Sequence, residues 1–227
     1  DTNTSLNLYN SGKLDQALLS GTQVRNYKNN ADYVARKAAA TFYLEMNQKD
    51  SNPVLAKAFS NENIRRALSL AINRKQFVND VLANGSTVPL GYVSTDLAKN
   101  PQTEEDFAKQ AYVKNSVSYD AKLAKQYWAK GLKEIGQTSS SFTLLTDDTD
   151  SGKKAADYLQ GRLEKVLPNL KVTNRNVPFK TRLTASQKGQ FDVVLSAWGA
   201  DFSDPISFLE LFTSTNSYNN GHWQSTA

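Results

Sequence analysis

The 227-residue sequence contains no cysteine, which excludes disulfide bridges, thiolate metal sites and a cysteine nucleophile while leaving the compartment open. Its one histidine, His222, gives no basis for a histidine metal cluster or a Ser-His-Asp triad. No G-x-S-x-G elbow and no glycine-rich phosphate loop is present. No apolar run approaches the ~20 residues a membrane-spanning helix needs, and no charged-then-apolar leader opens the chain. Charge of neither sign dominates, since 27 basic and 22 acidic residues leave +5. The basic pairs Arg65-Arg66 and Lys153-Lys154 lie among helical signals and not in one block, the pattern of a solvated surface and not of nucleic-acid binding. These absences disfavour an enzyme and imply no cofactor.

What is present describes an ordinary globular chain, 39% hydrophobic and 22% charged. Residues 4–9 (TSLNLY) alternate as a short strand does, residues 12–19 (GKLDQALL) read as a short helix with Leu14, Ala17 and Leu18 on one face, and residues 21–30 read as a loop. A strand is expected over residues 40–47, where Phe42, Leu44 and Met46 alternate with Tyr43, Glu45 and Asn47, and residues 50–53 should end it. Helical period returns over residues 61–73, with Ile64, Ala67, Leu68, Ala71 and Ile72 on one face and Ser60 as N-cap. A second helix with Phe77, Val78, Val81 and Leu82 inward should stop at Asn84-Gly85. Residues 86–115 are mixed, with a short helix over residues 104–112. Residues 120–135 form a helix closed by Gly136, with Trp128 in the core. Asp1 is not a natural initiator and residues 223–227 (WQSTA) carry no closing element, so both ends read as cut from a longer chain.

The remaining stretch reads as strand 141–146, helix 151–167, strand 170–176, helix 179–188 and strand 191–197. A βαβαβ run of this kind makes an open α/β sheet flanked by helices, and the whole chain is read as one α/β lobe. Ligands of open α/β sheets bind beyond the carboxyl ends of strands. Here that rule selects Trp198, Gly199, Ala200 and Asp201, which follow the strand end at Ala197. Asp204 is placed to cap a helix over residues 206–212 with Pro205 in its first turn. Asp201, next to a tryptophan and a small Gly-Ala pair, suits a ligand ammonium, although by composition alone a turn residue bonding its own backbone is the plainer reading. Arg65 and Arg74 flank an amphipathic helix and read as structural, holding ion pairs or helix ends.

Residues 198–209, WGADFSDPISFL, closely resemble the W-x-A-D-[YF]-x-[DE]-P-x-x-F-L signature of family 5 solute-binding proteins, the group of oligopeptide- and dipeptide-binding proteins that serve bacterial ABC importers. Residues 64–74 (IRRALSLAINR) resemble the family's v-R-x-A-l-x-x-A-i-[DN]-R helix, followed by its Gly-x-x-x-Pro turn at residues 85–89. Residues 6–15, 118–136 and 218–223 (YNNGHW) look like further segments in the same order. The resemblance reverses the preference at Asp201.

What the resemblance implies is the second lobe of a two-lobed, periplasmic-binding-protein-like fold with an open mixed sheet. Two lobes close on an extended oligopeptide whose main chain pairs with protein backbone, and the loaded protein meets membrane permease subunits of the transporter. Ala197 and Gly199 would supply backbone groups, Asp201 would hold the peptide α-ammonium and Trp198 would wall a side-chain pocket. The protein would be extracytoplasmic, either periplasmic or a cell-surface lipoprotein whose anchor lies outside these residues, with no other contact to membrane. Gly199 departs from the larger residue relatives often carry, which leaves ligand size open. Asn219, Asn220 and Trp223 lie in a loop that could face the ligand, but polar loop residues are more commonly solvated turn formers. Two alternatives stand beside this reading. One keeps the family and changes the ligand to a dipeptide, a nickel complex, an oligosaccharide or a peptide signal; the other is a hydrolase with paired carboxylates.

Overall fold

The computed structural model describes residues 2–224, so the expectations for Asp1 and for residues 225–227 lie outside the described residues. In chain order the elements are α1 (Thr2–Asn10), α2 (Thr22–Tyr27), β1 (Ala40–Met46), α3 (Pro53–Ser60), α4 (Glu62–Ala71) and α5 (Arg74–Gln76). A π-helical segment, Phe77–Leu82, leads to α6 (Phe107–Gln110), α7 (Ala121–Ile135) and β2 (Ser140–Asp147). Then come α8 (Asp150–Val166), β3 (Leu170–Val177), α9 (Phe179–Gln187), β4 (Val193–Gly199), α10 (Ile206–Leu209) and a 3₁₀ turn, Glu210–Phe212. No helix of the described residues is long and apolar enough to cross a membrane. The chain divides into a larger compact unit, residues 38–74 and 89–227, and a smaller one, residues 1–37 and 75–88.

In the larger unit the four strands form one mixed sheet in the order β1-β4-β2-β3, with β2 parallel to both β3 and β4 and β1 antiparallel to β4. The expected βαβαβ run and the open α/β sheet are therefore present, with β1 added as an antiparallel edge. The central strands β4 and β2 are buried on both faces, as a sheet covered by crossover helices requires: Leu144, Leu145, Val193 and Val194 are each no more than 1% exposed. Phe142 of β2 meets Phe59 of α3 edge-on at 5.9 Å, while Leu145 and Val194 pack with Ala185 of α9 and with Phe191.

Local chemistry explains the helix ends. Asn52 Oδ1 accepts from the Val54 N–H, and Pro53 occupies the first position of α3, a helix where the sequence reading expected only the end of a strand. Asn61, not Ser60, caps α4, accepting from the Ile64 N–H at 3.1 Å, because Ser60 is itself the last residue of α3. Asp120, read as the first helical residue, instead caps α7 through the Leu123 N–H, and Gly136 closes the helix with a left-handed φ of 74°, as read. Trp128 is core, 2% exposed, and its indole N–H donates to the Pro168 carbonyl at 2.8 Å. Gly131 lets α7 approach α4, since a Cβ there would sit 2.6 Å from Ile64 Cγ1. The helix expected over residues 104–112 contracts to α6, capped by Asp106.

The smaller unit departs most from the sequence reading. Residues 4–9, read as a strand, lie in α1, where Ser5, Leu6, Leu8 and Tyr9 are the half-buried positions. That i, i+1, i+3, i+4 set also satisfies helical period, and a six-residue window cannot separate the two. The helix read over residues 12–19 is absent. Gly12, with φ 71°, instead ends α1, its N–H bonded to the Tyr9 carbonyl and the Lys13 N–H to the Leu8 carbonyl. Leu18 is 87% exposed, so the apolar face that would have paid for a helix has nothing to pack on. The loop read over residues 21–30 contains α2, tied back by Gln23 Nε2 to Asn3 Oδ1 at 2.7 Å. The π-helical segment buries Val78 alone and closes at Ala83, left-handed at φ 46°, ahead of the expected Asn84-Gly85.

Candidate functional site

The geometry of β4 follows from its pairing. Ala200 N–H donates to the Ala39 carbonyl at 2.8 Å and Asn47 N–H to the Asp192 carbonyl at 3.0 Å. Antiparallel partners alternate between hydrogen-bonded and non-bonded pairs, so the bonded pairs along this ladder include 41/198, 43/196 and 45/194. Ser196 and Trp198 therefore direct their main-chain groups at β1. Ala197 and Gly199 direct theirs to the other side. β2 covers that side only as far as the pairs Leu144↔Val193 and Leu145↔Val194. Beyond them, the N–H and C=O of Ala197 and Gly199 face an edge that no strand of the described residues occupies, and both residues are exposed. The strand continues through Gly199, two residues past the expected end at Ala197.

Trp198 and Asp201 are fixed by one residue. Ser207, fully buried, accepts the Trp198 indole N–H on its carbonyl at 2.8 Å and the Asp201 backbone N–H on its hydroxyl at 2.8 Å. Trp198 is half-buried and lies 5.0 Å, centroid to centroid, from Tyr218. The Asp201 side chain is exposed and makes no hydrogen bond or ion pair with the described residues. The turn chemistry belongs to Asp204, whose Oδ1 accepts the Ile206 N–H at 2.8 Å at the start of α10. Asp201 is thus presented by the turn and not consumed by it.

Beneath β4, on the face carrying Tyr43, Ser196 and Trp198, lies an aromatic cluster that sequence periodicity did not reveal. Tyr92 meets Tyr43, Phe208 and Phe212 at 5.1, 5.6 and 4.6 Å between ring centroids, all edge-on. Burial pushes the Tyr92 hydroxyl up. Glu45, only 8% exposed, accepts the Gly221 N–H at 2.7 Å, and burial pushes its carboxyl up to about 7 against the opposing effect of the Gly221 and Asn220 amides. A Cβ on Gly221 would lie 2.7 Å from the Met46 carbonyl oxygen, which explains the glycine in this loop. Asn219 is buried, not solvated, and bonds both the N–H and the C=O of Trp223. It folds the loop instead of facing a ligand. Arg65 and Arg74 serve helix ends as read: Arg65 donates to the Phe59 carbonyl at 2.8 Å and Arg74 to the Ser69 and Val117 carbonyls.

Among the described residues no group of three or more His, Cys, Asp or Glu is placed to hold a metal ion. A cavity of about 160 Å³, with Asp50, Thr143, Arg175 and Asp192 in its wall, shares no residue with the β4 edge. The candidate site is therefore an open strand edge followed by a presented carboxylate.

The model of the bacterial extracellular solute-binding proteins, family 5 (middle region), matches residues 1–220. A dipeptide-binding protein of Lactococcus lactis is 43% identical over 99% of this chain and 41% of its own length. The oligopeptide-binding protein OppA of Bacillus subtilis is 29% identical over 97% of this chain and 39% of its own length. Among solved structures, peptide-bound Listeria monocytogenes OppA superposes with a TM-score of 0.90 at 37% identity, over 98% of this chain and 43% of that one. The pheromone receptor PrgZ gives 0.88 at 38% identity, with the same two coverages. The chain spans less than half the length of these relatives. With a family match along nearly its whole length and a fold shared with peptide-bound OppA, the chain belongs to family 5 of the bacterial extracellular solute-binding proteins.

Proposed function

We propose that this chain supplies one lobe, the second, of the peptide-binding component of a bacterial ABC importer, acting outside the cytoplasm and catalysing no reaction. The observation that carries the reading is the spare pairing capacity of Ala197 and Gly199 with an uncommitted carboxylate two residues beyond, at Asp201. An extended peptide adds to such an edge as a strand does, with main-chain hydrogen bonds that ignore side-chain identity. Asp201 then stands ~7 Å past the last pairing position, at ~3.4 Å per residue, where the α-ammonium of the first peptide residue would lie. Trp198, held by Ser207, walls the space beside the ligand's first side chains. Gly199, on the opposite face of β4 from Trp198, adds no side chain and leaves room on that face for a larger ligand residue.

An Asp-ammonium pair contributes about 1.5–3 kcal/mol when desolvated and under about 1 kcal/mol at an open, wet surface. Closure of an opposing lobe over the edge accounts for most of the affinity in this reading. The loaded protein would deliver peptide to membrane permease subunits, and its attachment to the membrane would be through a lipid anchor or none. A peptide acting as a signal is the second form of the same reading, favoured by the likeness to PrgZ.

Native mass spectrometry of the full-length protein as purified tests the assignment without guessing a ligand. Wild type should carry a heterogeneous set of peptide masses, and Asp201→Ala should lose most of them, a 10- to 100-fold fall in affinity at about 1.4 kcal/mol per decade. Sugar or metal-complex masses, or peptides retained equally by the variant, would overturn it.

A further inference from the structure

The edge offered by Ala197 exists only because β2 and β4 stop pairing early. Both strands continue past their last shared pair, Leu145↔Val194, β2 to Asp147 and β4 to Gly199. Continued in register, the next pairs would be Thr146 with Leu195 and Asp147 with Ser196. One side chain occupies that level. Arg182 of α9, 5% exposed, donates from Nε to Asp147 Oδ1 at 2.7 Å and from Nη1 to Ser196 Oγ at 3.3 Å, with its guanidinium over the Phe179 ring at 5.1 Å.

Two hydrogen bonds in series, together with the width of the guanidinium fork between them, form a longer link than the ~4.8 Å spacing of paired strands. The residues that would be the next parallel partners are thus joined through a side chain instead of through their backbones. A buried arginine in this position is costly unless both ends are satisfied, and here a carboxylate and a hydroxyl satisfy it. The planar fork also resists the sideways collapse that would let the ladder close.

We infer that Arg182 is a positioning residue for ligand binding: by bridging Asp147 to Ser196 it splays β2 from β4 and keeps the Ala197 amide open for a ligand strand. The inference rests on the reading that the β4 edge binds peptide. In the absence of the bridge, the parallel ladder would extend by the Ala197 N–H, while Gly199, beyond the end of β2, would stay open.

The test is amide hydrogen exchange on the unliganded full-length protein, with tetra-alanine binding measured by calorimetry, for wild type, Arg182→Met and Ser196→Ala. Ser196→Ala removes one end of the bridge while leaving the Arg182-Asp147 pair intact, so it keeps the test open if Arg182→Met folds poorly. Slower exchange at Ala197 in the variants, no change at Gly199 and peptide binding weaker by about tenfold, the loss of one or two main-chain hydrogen bonds, are the expected results. Loss of stability alone would leave Ala197 exchange unchanged or faster, and that outcome overturns the inference. If wild type fails to bind tetra-alanine, the peptide reading is the one damaged, because the exchange comparison decides the bridge without any ligand.

Discussion

The two halves of β4 are built from the same strand and do opposite things. Val193 and Val194 are 1% and 0% exposed and paired on both sides, to β1 and to β2. Ala197 and Gly199 are exposed, lie opposite Phe42 and Ala40 of β1 in non-bonded pairs, and have no partner on β2. Main-chain groups saturated by neighbouring strands hold the sheet together; the same groups left at an open edge are available to a partner. The difference is made by where the β2–β4 pairing stops and not by any change in the residues' propensity.

The sharpest way to break the comparison is Val194→Asp, which puts an unpaired carboxylate into the saturated half. A loss of at least about 4 kcal/mol is expected, read from the urea midpoint. A loss under about 1 kcal/mol would mean that the centre of the sheet is wetter than its burial implies.

Next in size is Glu45, which lies opposite Val194 across the β1–β4 ladder. Its carboxyl, raised by burial from 4.5 to about 7, binds a proton in the folded state that the unfolded chain has already released over that range. Stability should therefore be greatest below pH 4.5 and fall by roughly 3 kcal/mol as pH rises to 7, then level off as far as this group is concerned. Glu45→Gln keeps the acceptor for the Gly221 amide and removes the charge. It should flatten that slope and exceed wild type in stability at pH 8; an unchanged slope would assign the pH dependence elsewhere.

The smallest effect sharpens the alternation itself. Ser196→Pro removes an N–H directed at β1, whereas Ala197→Pro removes one directed at the open edge. Thermal melts should show the larger loss for Ser196→Pro. Peptide titration should show about tenfold weaker binding for Ala197→Pro. Equal destabilisation by the two would contradict the parity deduced from the ladder.

Several parts of this arrangement were legible in the sequence because the interactions that make them are local. Asp120 and Gly136 bound their helix through partners within three to five residues, and Asp204, one residue ahead of the Pro205 N-cap, accepts the first amide of α10 from two residues away. The alternating blocks of residues 140–199 carry periods long enough to identify strand and helix. Short segments were not legible: residues 4–9 and 12–19 fit either period, and only the presence or absence of a packing surface chose between them. The position of Asp201 after a strand end was readable from chain order. That its carboxylate is uncommitted was not, since it depends on Ser207 and Asp204 taking the turn's hydrogen bonds.

By itself the sequence determined the βαβαβ core, the family signature at residues 198–209 and the order of strand end, tryptophan and aspartate. The tertiary structure alone decided which edge of β4 is open, why Glu45 is buried and how Arg182 spans two strands. These depend on partners 14 to 176 residues apart, as with Arg182 and Ser196 or Glu45 and Gly221. The physical reason is that periodicity and capping are set by neighbours along the chain, whereas the saturation of a main-chain group or the desolvation of a charge is set by whichever segment folds against it.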